Sequence, residues 1–126
     1  MAIQENQEKQ NLQECINNCL DCHKICLETI AECLEMGGRH SSSAHIKLLQ
    51  DCAQICLTSA DFMIRMSSFH SQVCGVCADV CAACAADCEK LANGEDFMKE
   101  CARVCRRCAE SCREMSGIAR IVGASK

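Results

Sequence analysis

The sequence predicts an all-α protein, an antiparallel up-down-up-down four-helix bundle with a cysteine-lined core. Three observations predict it. The chain has no Pro, Trp or Tyr and only three Phe, yet it is rich in Ala, Leu, Glu and Gln, which favour helices over sheets. Turn-forming residues cluster at only three interior places, leaving four long uninterrupted segments. Finally, sixteen Cys recur at alternating steps of three and four, the spacing of a helix seam that faces partner helices. A chain of 126 residues suits one such domain, taken as 1–126, better than two.

The first helix is expected at about 8–36, ended by Gly37 and Gly38, with Ser41 to Ser43 offering N-caps for the next. The second is expected at about 43–66, before a turn marked by Ser67, Ser68 and Ser71. The third runs to about 71–92 and closes at Asn93 and Gly94; the fourth spans about 96–117, where Gly117 opens a small-residue tail. Short connections between long helices make neighbours antiparallel.

Each helix carries one stripe of sulfur. The first has Cys15, Cys19, Cys22, Cys26 and Cys33, and the second has Cys52 and Cys56. The third has Cys74, Cys77, Cys81, Cys84 and Cys88, and the fourth Cys101, Cys105, Cys108 and Cys112. Extending the seams adds Leu12, Thr29 and Met36; then His45, Leu49, Ser59, Met63 and Met66; then Leu91; then Met98 and Met115. Cysteine thus holds the positions that Leu and Ile fill in an ordinary bundle.

Core packing alone does not explain this, because Cys in place of Leu at nearly every seam position under-fills the interior, at a cost of several kcal/mol per site. A disulfide network fits poorly too. Cysteines four apart on a helix have nearly parallel Cβ vectors, and the polar N-terminal stretch Met1–Gln10 lacks an export signal. The expectation is a cytoplasmic location, where thiols stay reduced. No apolar run approaches the roughly 18 residues that span a bilayer, and a net charge of −4 with mixed signs gives no reason to expect nucleic acid.

Metal binding remains, and thiolate selects Cu(I), zinc or iron–sulfur iron. Charge separates these. A zinc ion on four thiolates leaves a formal charge of −2, so four such sites would bury about −8 in a dry core. Cu(I) binds two thiolates and each thiolate can bridge two Cu(I), so about one copper per sulfur is neutral. Empty, the core is neutral thiols.

Competing motifs are weaker. Cys19 to His23 matches the C-x-x-C-H pattern of haem attachment, but both cysteines belong to the seam and His23 reads as a flank residue. The pairs Cys74/Cys77, Cys81/Cys84 and Cys105/Cys108 lie mid-helix without strands, unlike thioredoxin-type redox motifs. No Cys-Pro run suggests an iron–sulfur cluster, and no catalytic arrangement stands out, so the chain is read as a non-enzyme. The alternatives to copper storage are a zinc or iron–sulfur protein and a thiol redox buffer.

Methionine and histidine gather at the bundle ends. One end collects Met36, His40, His45 and Met98, beside a polar Gly/Ser loop; the other collects Met63, Met66, His70 and Met115. The first is expected to admit Cu(I) through exchangeable soft ligands. The second, with Leu12, Phe62 and Phe69 nearby, is expected to be sealed. A second apolar stripe, Ile16, Leu20, Leu27, Ile30 and Leu34 with Ile46, Leu57 and Ile64, predicts a homo-oligomer through the first two helices. The Arg residues 103, 106, 107 and 113 alternate with Glu100, Glu110 and Glu114 and read as a solvated face.

These four cysteine seams resemble the bacterial copper storage proteins, on the cytosolic branch of that family. The resemblance implies tetramers of bundles, each holding many Cu(I) along the core, with a mouth bearing Met and His. The copper donor or acceptor protein is not specified by it. Two departures stand out: only two Cys on the second helix, with Ser59 and Met63 where thiols would sit, and Thr29 interrupting the first. Thinner copper occupancy is expected beside the C-terminal half of the second helix.

Overall fold

A computed structural model of the chain describes residues 2–124, with side-chain surroundings for 6–117. Met1, Ser125 and Lys126, the ends of the expected 1–126 domain, lie outside the described residues. Helix α1 spans Ala2–Met36. It starts six residues earlier than its apolar pattern suggests, because Gln, Glu and Lys are themselves helix formers; Gln7 and Gln13 donate to Asn11 and Asn17 one turn on, both at 3.0 Å. Its end is set by Gly37 at φ 70° and Gly38 at φ 59°, left-handed angles that side chains resist. A 3-10 turn at Gly38–Ser41 leads to α2, Ser43–Ile64, whose N-cap Ser42 accepts from the His45 N–H at 3.4 Å.

Helix α2 stops two residues short of expectation. Met66 adopts φ 55°, its N–H donates to the Met63 carbonyl at 3.1 Å, and the Ser67 N–H donates to the Phe62 carbonyl at 2.9 Å. That pair of bonds is a Schellman closure, with methionine in the place glycine usually takes. Met66 consequently leaves the seam and is 75% exposed, correcting its assignment to the core stripe.

Helix α3 spans His70–Leu91 and α4 spans Asp96–Ala124. Gly94, at φ 88°, makes the turn between them. Helix α4 passes through Gly117 without ending there, since one interior glycine costs only about 1 kcal/mol. By length and composition α3 could cross a membrane, contrary to the expectation that no segment is apolar enough, but its buried residues are Cys and Ala facing the core.

Each helix packs on its chain neighbours, and α1 packs on α4 to close the square. All sixteen cysteines are buried and unbonded to one another. Beside them run heptad-spaced alanines, Ala53/Ala60, Ala78/Ala85 and Ala102/Ala109, each directly following the level of a seam residue and all buried. Small residues there let the helix axes approach closely, which brings short thiol side chains into contact where Leu would have been needed to fill the space.

Candidate metal centre

The seam register places sulfur from all four helices at the same heights. Eleven thiols form one continuous network. From Cys15 it runs through Cys112, Cys19 and Cys108 to Cys56, Cys77 and Cys81, then through Cys52 and Cys22 to Cys105 and Cys26, by Sγ–Sγ contacts of 3.4 to 4.0 Å. Five groups of sulfurs lie mutually within 4.8 Å: Cys15/74/112, Cys19/77/108/112, Cys56/77/81/108, Cys22/52/56/81 and Cys22/26/52/105. Taken in that order along the axis, each group shares one or two members with the next. A sulfur that belongs to two adjacent groups is positioned to bridge two metal ions.

Hydrogen bonding divides the acidity of these thiols. Cys22 donates to Cys105 at 3.6 Å and shares a contact of 3.7 Å with Cys52; its hydrogen bonding, with Cys105 first, holds it below the ordinary thiol range. Cys105 is held above it, by Cys101 first.

Toward the α1–α2 turn the ladder of groups stops at Cys26 and Cys105. Leu49 of α2 and Thr29 of α1 are buried in the core there, so sulfur is missing from two helices at once. Cys84 and Cys101 face Cys26 and Cys105 at that level, and Cys33 and Cys88 lie farther out; none of the four joins a group. The Cys33 Sγ sits 3.4 Å from His45 Nε2 and 3.7 Å from Met98 Sδ. His45 Nδ1 donates to Asp87 Oδ2 at 2.6 Å, which leaves its Nε2 lone pair facing the Cys33 thiol. Burial pushes that thiol up to about 11. Of the four residues expected at this mouth, His45 and Met98 are brought together on Cys33. His40 instead bonds Glu95 at 3.0 Å, and Met36 is 49% exposed. Sequence spacing gave no sign of Asp87, because its bond to His45 spans two helices 42 positions apart.

The profile of the copper storage proteins matches residues 8–117 of this chain. The chain belongs to the copper storage protein family. A protein of Nitrosospira multiformis of known crystal structure is 47% identical, covering 87% of this chain and 98% of its own, with a TM-score of 0.81. A Cu(I)-bound copper storage protein of Bacillus subtilis is 38% identical over 84% of this chain and 98% of its own, with a TM-score of 0.78. A cytosolic copper storage protein of Streptomyces lividans, solved with five coppers, is 27% identical over 89% and 97%, with a TM-score of 0.77.

In this member of the family the opposite end of the core is built from the following residues. Phe69 is 62% exposed and Phe62 lies under the Arg65 guanidinium, 4.4 Å from the ring centre. Met63 and Met115 are buried, and His70 is half-buried. Sulfur thins there, since Ser59 Oγ contacts Cys74 Sγ at 3.4 Å and the last group has three members. His23 points away from the thiols and meets the Ala53 carbonyl through Nδ1 at 2.7 Å, a clasp between α1 and α2. The arginines of α4 pair at the surface, Arg106 with Glu89 at 2.7 Å, Arg113 with Asp79 at 3.7 Å, and Arg103 with Glu100, contacts that add little stability.

Proposed function

We propose that this chain stores Cu(I) in a sulfur-lined channel, with all sixteen cysteines as ligands and about one copper per thiolate at full load. The corner-sharing of the five sulfur groups carries this reading. Isolated four-sulfur sites would suit zinc, whereas groups with common members suit bridging thiolates and a monovalent ion that cancels their charge. Cys33, His45 and Met98 form the inner lip of the mouth, with Asp87 fixing the imidazole, and His40 and Met36 stand outside it. Neutral thioether and imidazole donors hold Cu(I) less tightly than thiolates do, so the ion moves inward.

The whole of 1–126 acts as one storage unit without catalysis, in the cytoplasm, as the name of the Streptomyces relative states for that protein. The chain works as a homo-oligomer, a tetramer. Leu20, Leu27 and Leu34, seven apart on α1 and 39%, 49% and 56% exposed, support an interface along that helix.

Anaerobic titration of the reduced protein with Cu(I), in competition with a strong Cu(I) chelator, tests the storage reading. Uptake approaching one ion per cysteine is expected. Saturation near four ions, with zinc preferred, would instead favour separate tetrathiolate sites.

A further inference from the structure

At the end of the channel away from the mouth, the seams can be followed one step past the last thiols. The outermost sulfur layer is Cys15, Cys74 and Cys112, with Ser59 on α2. One step outward, three or four residues along each helix, stand Leu12 on α1, Met63 on α2, His70 on α3 and Met115 on α4. Met63 and Met115 are 1% and 7% exposed. His70 lies one helical turn from Cys74, on the same face. Its Nδ1 is fully buried and is the one buried side-chain nitrogen or oxygen without a hydrogen-bond partner among the described residues. A buried polar atom of this kind is costly to leave unsatisfied, and this one is a soft-metal donor one helical turn outward from Cys74.

We propose that His70 Nδ1, with the thioethers of Met63 and Met115, forms a second binding site for a soft monovalent cation, making the channel open to copper at both ends. The inference rests on the storage reading above. All three donors are neutral, so an ion held by them keeps its positive charge and binds more weakly than on thiolates. It passes to Cys15, Cys74 and Cys112 during loading and waits on the outer layer during removal. Partial exposure of the His70 ring gives that layer its contact with solvent.

Two measurements test it. In the first, Cu(I) transfer from a chelated donor is followed for the wild-type protein, for a mouth variant carrying His45→Gln and Met98→Leu, and for the mouth variant with His70→Gln added. Thermal melting checks the fold of each. The mouth variant is expected to keep loading, and His70→Gln to slow that remaining uptake by about tenfold, the lower scale of affinity lost when a metal site is weakened. In the second, which needs no variant, wild-type protein labelled with 15N in histidine receives sub-stoichiometric Ag(I), a d10 stand-in, and the His70 Nδ1 resonance is expected to shift. Complete loss of loading in the mouth variant, indifference of its uptake to His70→Gln, or an unmoved Nδ1 resonance overturns the second site. A wild-type protein that saturates near four ions overturns the storage reading itself, so the two failures are told apart.

Discussion

Leu49 shows how one side chain sets the continuity of the thiol core. It is fully buried on α2, level with Thr29, at the point where the chain of sulfur groups ends short of Cys33. Leu49→Cys is expected to raise Cu(I) capacity by about one ion and to lower metal-free stability by about 2 kcal/mol, the low end for emptying a Leu-sized site. Titration and denaturant unfolding of the same variant check both. Cys33 gives a pH dependence. Burial raises its thiol from 9.0 to about 11, so the folded state holds a proton there that the unfolded chain loses. The contribution is complete below about pH 9 and lost as pH rises to about 11. Metal-free melting temperatures are expected to fall across that interval, and Cys33→Ser to flatten the fall. These positions differ in how legible they were. The seam was readable because Cys is chemically distinctive and its three-and-four spacing is unambiguous. Leu49 was in register but its effect depends on what the other helices place at that height. Asp87 lies off the seam and is joined to His45 only by the packing of α2 against α3.

At the scale of the helices, interiors followed the sequence and ends did not. Polar residues before Gln10 continue α1 to Ala2, and α4 runs through Gly117 to Ala124, because helix propensity persists where no apolar stripe announces it. Both extensions belong to adjacent antiparallel helices and run past the α2–α3 turn. That turn holds the local compromise of the fold, Met66 in a left-handed conformation. A side chain there costs about 1–2 kcal/mol, partly offset by its smaller unfolded-state entropy compared with glycine. Met66→Gly is therefore expected to stabilise the protein by about 0.5–1 kcal/mol, read as a shifted denaturation midpoint at constant slope. A destabilised variant would mean that the exposed Met66 side chain makes a contact worth more than the strain.

For the whole molecule, the missing bulk of the interior is the unifying fact. Cysteine and alanine replace the large side chains of a normal bundle, so the metal-free fold has less apolar area to bury than its helix lengths would allow. Cu(I) is expected to supply cohesion instead, since any ligand that binds only the folded state raises stability by mass action. The outer surface of α1 points to assembly as the other source of burial. Leu27→Glu combined with Leu34→Glu is expected to shift the protein to monomers in sedimentation while leaving Cu(I) capacity per chain within about one ion, since neither side chain reaches the thiols. Persistence of the oligomer would move the interface to another face.

Because neighbouring sulfur groups hold members in common, an ion cannot be withdrawn from the middle as though from its own pigeonhole. Its departure strands negative charge on sulfurs that the adjoining ions also use, and those ions slide over to cover it. The vacancy travels down the file until it reaches an end, much as a lattice defect migrates to a crystal surface. Two batches of copper distinguished only by isotope, delivered one after the other, would thus lose their separate addresses inside the protein.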